Sequence, residues 1–299
     1  MNRRSFRRLC LLLLLFCFVS LGCTVLRGGD PARKPRQQVR ATKAWLCYYG
    51  NDRGVLTANP LIDLLILDAD ELGPLTREEK NNRLCLAYLS VGEAEEFRMY
   101  WKGIRNKSWV LGKNPDWPGD HLVDVRSEEW CRLLTHEVAP RLMAAGYDGF
   151  MLDTLDTAET LLQSDPVTYA GVNETMADLV LTLRKRWPDA VILVNRGFDV
   201  LPLIAPQIDG VLVEGVRSTM DFKRKRSRML STDECLWIEK KLEAAQNAGL
   251  PIFALDYVAP PDPDQAAAVY HRLQRLGYRP LISTPDLSHY DFPYVYTGP

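Results

Sequence analysis

Apolar residues in this chain gather into eight short runs: WLCYY (45–49), LLIL (64–67), LCLAYLSV (84–91), GFML (149–152), VILV (191–194), GVLV (210–213), PIFAL (251–255) and PLIS (280–283). The runs are nearly continuous rather than alternating, which is the pattern of strands buried on both faces. Between several of them the apolar positions fall at helical spacing. SEEWCRLLTHEVAPRLMAAG is the clearest case, with Ser127 placed to cap its start and Gly146 its end. TMADLVLTLRKRWP, CLWIEKKLEAAQNAG and DQAAAVYHRLQRLG read the same way, while the helices after the second and third runs are weakly marked. Eight buried strands alternating with helices predict an α/β fold, a single-domain (β/α)8 TIM barrel. The chain length of 299 residues suits the ~250 residues typical of that fold.

The N-terminus departs from this pattern. MNRRSFRR is basic, residues 11–21 are almost wholly apolar, and Gly22-Cys23 follows at once. So short an apolar core behind four arginines reads as an export signal over residues 1–23, not a spanning helix. Gly22 before Cys23 fits lipoprotein processing, with lipidation at Cys23. The residue three before the cysteine, usually Leu, is here Ser20, with Leu21 beside it. The alternative is ordinary cleavage nearby. Asn-Arg-Arg-Ser-Phe also looks like a twin-arginine start, although the strongly apolar core fits the general secretory route better. Residues 24–41, rich in Pro, Gly and Arg, read as a flexible linker ahead of a barrel over 42–299. The expected location is the cell envelope, as a membrane-anchored lipoprotein or otherwise periplasmic or secreted.

Composition adds little beyond a globular class, with 46% hydrophobic and 25% charged residues. Charge says more. The leader carries four arginines and no acid, so its removal takes the net charge from −1 to about −5, against a nucleic-acid partner. Of the cysteines beyond Cys23, Cys47 and Cys85 fall in strand runs and Cys131 and Cys235 in helices. None has metal-ligand spacing, and buried inert thiols are the expectation.

Candidate chemistry lies where the runs end. Asp68 and Asp70 follow the second, Glu93 the third, Asp153 and Asp156 the fourth. Asn195 and Arg196 follow the fifth, Glu214 the sixth, Asp256 the seventh and Asp286 the eighth. In a barrel the C-terminal strand ends form the reactive mouth, although an acid between strand and helix is by default a helix cap. The four histidines, His121, His136, His271 and His289, make no HxH or HExxH pair, so no metal is expected. There is no GxSxG and no Gly-rich phosphate loop, so neither a serine triad nor a nucleotide is expected, and no cofactor. What remains is chemistry by carboxylates alone, for which glycoside hydrolysis is the natural candidate. Tyr48, Tyr49, Trp101, Trp109, Trp117 and Tyr257 could stack on sugar rings, with Trp117 in KNPDWPGDH the best placed.

Several phrases, AYLSVGEAEEFRMYW, KNPDWPGDHLVDVRSEEW, GYDGFMLDTLDTAE, VILVNRGF and ALDYV, resemble the glycoside hydrolase family 114 barrel, the endo-α-1,4-polygalactosaminidase-like group. The resemblance runs from about Trp45 to Asp286. It implies a catalytic pair of an Asp ending the fourth strand and a Glu ending the sixth, here Asp153 and Glu214. Similarity to related retaining barrels implies Asp153 as nucleophile and Glu214 as acid/base. Asn195 and Arg196 would then keep Asp153 ionised, and Val211 and Val213 would raise the pKa of Glu214. Asp68, Glu93 and Asp256 would orient sugar hydroxyls, with Asp156, Asn195, Arg196, Trp117 and Tyr257 completing the substrate-binding set.

The implied substrate is a polysaccharide of α-linked galactosamine, cationic when deacetylated. The run DFKRKRSR (221–228) reads by default as a solvated loop; if instead it lines the cleft, it would repel a polycation and favour an acidic or neutral glycan. The rival reading is a catalytically silent glycan-binding barrel in a polysaccharide assembly system. A third is another carboxylate enzyme, such as a lyase or isomerase.

Overall fold

A computed structural model describes residues 34–221 and 223–290. All eight apolar runs are strands: β1 Trp45–Tyr48, β2 Leu64–Leu67, β3 Leu84–Ser90, β4 Gly149–Asp153, β5 Val191–Asn195, β6 Gly210–Glu214, β7 Ile252–Tyr257 and β8 Arg279–Ser283. They pair side by side in chain order, always in parallel. Parallel neighbours require crossovers, and the intervening helices cover the outer face. Both faces of each strand are thereby kept from water, so β1, β2 and β5 are buried at every residue. The seam between β8 and β1 is closed outside any strand ladder. The Tyr49 amide donates to the Leu287 carbonyl at 2.8 Å, and the Trp45 indole donates to the Arg279 carbonyl at 3.0 Å.

The expected helix between Ser127 and Gly146 is present but not uniform. Glu128–Leu133 and Ala139–Ala144 are α-helical and flank a π turn, Leu134–Val138. Pro140 has no amide hydrogen to give and would crowd the carbonyl four residues back, so a wider turn takes up the mismatch.

Two regions differ from expectation. The last part of the presumed linker is a helix, Pro35–Ala41, with Pro at its first turn and Val39 buried. Arg36 bonds Asp209 at 2.8 Å and Arg40 bonds the Gly249 carbonyl at 3.1 Å, while Arg279 donates to the Val39 and Arg40 carbonyls at 2.8 and 2.7 Å. These partners lie just before β6 and β7 and at the start of β8, so the helix packs across the N-terminal end of the barrel. One buried apolar residue leaves no periodicity to read, and guanidinium bonds do the fastening. Residues 1–33, which include the expected export signal, Cys23 and the rest of the linker, lie outside the described residues.

The second difference is a polar insertion between β3 and β4. Glu93–Glu95, Asp120–Val123 and Val110–Lys113 pair as a small antiparallel sheet that forms one wall of the mouth. The basic run after β6 folds into a ribbon, Ser218–Asp221 against Arg226–Met229. Cys47, Cys85, Cys131 and Cys235 are all free thiols; burial pushes Cys85 up to about 12 and Cys131 up to about 11.

Candidate active site

A cleft of about 800 Å³ opens at the C-terminal ends of the strands. Asp153 is the last residue of β4 and Glu214 the last of β6, and both reach the cleft. Between their strands lies β5, whose last residue is Asn195. The side-chain nitrogen of Asn195 donates to Asp153 Oδ1 at 2.8 Å and to Glu214 Oε1 at 2.6 Å. Two oxygens held at 2.8 and 2.6 Å from one nitrogen can be no more than 5.4 Å apart. The two acids therefore face each other across a short gap.

The backbone aims them. Thr154, Arg196 and Gly215, the residues after Asp153, Asn195 and Glu214, all have positive φ, at 63°, 52° and 65°. The left-handed turn bends the chain away as each strand ends. For glycine this is easy, but for the β-branched Thr154 it is strained, by about 1–3 kcal/mol. The Thr154 hydroxyl offsets that strain: it donates to the Asp153 carbonyl at 2.6 Å, accepts from the Gly92 amide at 2.8 Å, and lies 2.9 Å from Ser90 Oγ. Gly92 has no room for a side chain, because a Cβ there would collide with the Thr154 carbonyl.

The carboxyl oxygens are not equally occupied. Asp153 Oδ1 accepts from Asn195 and from the Thr154 amide at 2.8 Å, while its Oδ2 has no protein donor among the described residues. Both oxygens of Glu214 are taken, Oε1 by Asn195 and Oε2 by the Tyr257 hydroxyl at 2.5 Å. Burial raises the pKa of both acids, and the charge of Glu214 raises Asp153 further. Two carboxyls this close resist double ionisation, so they titrate as a pair that retains a proton above the ordinary carboxylate range.

Two expected causes are corrected. Asn195 serves both acids and does not single out Asp153, and the charge of Arg196 acts to lower Glu214. Val211 and Val213 alternate with Glu214 along β6 and so face the opposite side of the strand. The apolar setting of the Glu214 carboxyl therefore comes from elsewhere.

Among the other expected site residues, Asp68, Glu93, Trp117, Asp156, Asn195, Arg196 and Tyr257 all line the cleft. Asp68 caps the following helix by accepting from the Asp70 amide at 2.9 Å and also pairs with Arg98 at 2.8 Å. Glu93 accepts from Asn114 at 3.0 and 3.1 Å and from the Thr157 hydroxyl at 3.0 Å. Asp156 and Arg196 sit 3.8 Å apart. Asp256 is the exception. It is wholly buried, and its carboxylate takes the amides of Val216, Arg217 and Ser218 at 2.6–2.7 Å. It cannot orient a sugar hydroxyl; it fixes the turn that follows β6.

The aromatic expectations divide likewise. Tyr49, Trp117 and Tyr257 line the cleft. Tyr48 is buried, Trp101 packs against His121, and Trp109 donates to Glu129 on the outer helix. Sequence reasoning missed Tyr88, Phe97, Arg98, Asn114 and Asp120, all of which line the cleft. Arg98 is nearly buried and binds Asp68, Asp70 and Glu95 at 2.7–3.0 Å, tying the insertion to the end of β2. Asp120 makes no such ion pair among the described residues; burial and the nearby Glu95 and Glu93 push it up to about 7. The family phrase AYLSVGEAEEFRMYW contains three of these residues and was the available signal.

The profile of glycoside-hydrolase family GH114 matches residues 29–297. An uncharacterised protein of Deinococcus radiodurans is 26% identical over 271 residues, 86% of this chain and 84% of that one. The glycoside hydrolase domain of PelA from Pseudomonas aeruginosa is 28% identical, with a TM-score of 0.72, over 83% of this chain and 97% of that domain. Aspergillus fumigatus Ega3, solved in complex with galactosamine, is 14% identical at a TM-score of 0.62, covering 88% of this chain and 98% of that one, and speaks for the fold alone. With the family profile spanning the barrel and two facing carboxylates at its mouth, this chain belongs to glycoside-hydrolase family GH114 and is a glycosidase.

Proposed function

We propose that this enzyme hydrolyses a galactosamine-containing, α-1,4-linked polysaccharide with net retention of anomeric configuration, Asp153 acting as nucleophile and Glu214 as acid/base. The observation that carries the reading is the shared Asn195 amide, which holds the facing oxygens within 5.4 Å. Retaining glycosidases place their carboxyls about 5–5.5 Å apart, whereas inverting ones leave about 6.5–9.5 Å for a water.

Occupancy of the oxygens supports these roles. The attacking atom needs a free lone pair, and Asp153 Oδ2 is the oxygen without a donor among the described residues. With the shared proton on Glu214, Asp153 is ionised and Oδ2 forms a bond to the anomeric carbon. The glycosidic C–O bond breaks, and its oxygen takes the proton from Glu214. In the second half Glu214 removes a proton from water, the water oxygen bonds the anomeric carbon, and the Asp153 ester bond breaks. One water is consumed and Glu214 is protonated again.

Charge supports the amino sugar. Among the described residues ten acidic side chains line the cleft against two arginines, and Arg98 is already committed to Asp68, Asp70 and Glu95. The basic run stays out of the way: none of residues 223–228 lines the cleft, and Arg224 and Arg228 pair with Asp221 and Glu234. A chain of ammonium groups suits this surface better than an acidic glycan does.

The test is digestion of deacetylated and N-acetylated α-1,4-galactosaminoglycans by wild type, Asp153→Asn and Glu214→Gln. Wild type should cleave the cationic polymer, and both variants should bind it without cleavage. Cleavage by either variant at the wild-type rate would misplace the site. Binding without cleavage by any form, wild type included, would favour a glycan-binding barrel.

A further inference from the structure

We propose that Asn195 is a positioning residue that sets the proton-holding range of the Asp153–Glu214 pair by giving one amide hydrogen to each carboxylate. The inference rests on the two-carboxylate reading above and goes beyond it by assigning the control of the pair to a third strand. Asn195 is only 5% exposed at the floor of the cleft, and its side-chain nitrogen donates to both of the enzyme's own acids.

Topology makes this arrangement available. β5 lies between β4 and β6, and Val194 is in register with Leu152 and with Val211. The next residue of β5 is therefore level with Asp153, one strand away from each acid. Among protein side chains a primary amide is uncharged and carries two hydrogens on one nitrogen, so it can serve two acceptors without adding charge. A lysine there would neutralise the pair; an aspartate would add a third negative charge.

The other end of the amide is the independent sign. Asn195 Oδ1 is buried and has no hydrogen-bond partner among the described residues. A stranded buried acceptor destabilises a fold by about 1–3 kcal/mol, and a purely structural asparagine would turn to relieve it. Here turning would set Oδ1 against two carboxylate oxygens. The orientation is thus dictated by the acids and held at the expense of the carbonyl.

Other groups around the pair leave this role to Asn195. Cys47 from β1, Tyr49 just after it, Tyr88 from β3 and Tyr257 from β7 are all raised by burial and stay neutral through the working range. Of the two acids, Tyr257 bonds only Glu214 and Thr154 only Asp153, while the charged Arg196 and Asp156, 3.8 Å apart, act on the pair through their charge and make no hydrogen bond to it among the described residues. Asn195 is the one described side chain that bonds both acids.

The experiment compares kcat and kcat/KM against pH for wild type, Asn195→Ala and Asn195→Asp on a soluble galactosamine oligomer, with Asp153→Asn and Glu214→Gln alongside. Loss of the shared donor should lower kcat by about 10²–10³-fold, the range for one preorganised donor. It should also move both limbs of the profile to higher pH, by about one unit, with KM changed less than threefold. Asn195→Asp should move them further in the same direction. Asn195→Ala should melt within a few degrees of wild type, because the stranded carbonyl leaves with the amide. An unshifted profile with a raised KM would make Asn195 a substrate-binding residue, and an unshifted profile with a large fall in Tm would make it structural; either overturns the proposal. If Asp153→Asn or Glu214→Gln stays active, it is the two-carboxylate reading that has failed, whatever Asn195 does.

Discussion

The two ends of the barrel use the same residue types for opposite purposes. At the N-terminal end Asp209, nearly buried, takes Arg184 at 2.6 Å, Arg36 at 2.8 Å and the Ile192 amide at 2.9 Å. Asp148 likewise takes Lys80 at 2.6 Å and the Cys85 amide at 3.0 Å. At the C-terminal end Asp153 and Glu214 are bonded, among the described residues, only by neutral donors, and Asp120 is pushed up by burial and its acidic neighbours. An acid matched by a cation is spent in fastening strand to helix. An acid left unmatched keeps a proton and a lone pair in reserve, and the chain concentrates such acids at one mouth. Asp256 shows that place alone does not decide: it sits on β7 near the mouth, yet three backbone amides occupy it.

If this division is right, substitutions at the two ends should separate activity from stability. The largest effect belongs to the mouth. Asp153→Asn should lower kcat by about 10³–10⁴-fold, and Glu214→Gln by about 10²–10⁴-fold on unactivated substrates, with unchanged far-UV circular dichroism. At the other end, Asp209→Asn leaves Arg184 buried without its countercharge. It should remove about 3–5 kcal/mol in urea unfolding while kcat stays within about threefold. Comparable activity losses at both ends would dissolve the contrast.

A pH series sharpens it. The pair's pKa values are raised in the folded state, so between the ordinary carboxylate range and the raised values the folded protein binds more protons than the unfolded chain. Stability contributed by the pair is therefore present at low pH and lost as pH rises through that window. Asp153→Asn removes one member of the pair, so its Tm should exceed wild type by a few degrees at pH 8 and by less at pH 5. A Tm difference that is flat with pH would mean the pair ionises freely. The smallest effect is expected at the rim. Trp117, 42% exposed, and Phe97, 63% exposed, line the cleft from the insertion. Alanine at either should raise KM on long oligomers about fivefold, near 1 kcal/mol of stacking, and leave dimers and trimers unaffected.

Much of this was legible before any coordinates. The eight runs named the eight strands, because a strand buried on both faces must be apolar at nearly every position. The residue ending each run placed Asp153, Asn195 and Glu214 at one mouth by topology alone. The partners were not legible. Sequence offers no sign that Asp256 points at three amides while Asp153 points at a cleft, since both simply end a run. Nor does it show that Asn195 spans two acids, because that depends on the stagger of three strands. The insertion of residues 93–123 stayed hidden because its strands are three or four residues long and mix apolar with charged positions. Arg98 went unremarked with it. The Pro35–Ala41 helix was missed for a related reason: its contacts run through guanidinium groups and backbone carbonyls, which leave no hydrophobic period.

The central claim is that the two acids act across a gap too short for an intervening water. Proton NMR of the first product released from a galactosamine oligomer, recorded before mutarotation, reads this directly. The account predicts that the new reducing end appears first as the α-anomer, the configuration of the bond that was cut. First appearance of the β-anomer would mean single displacement by water and would contradict it.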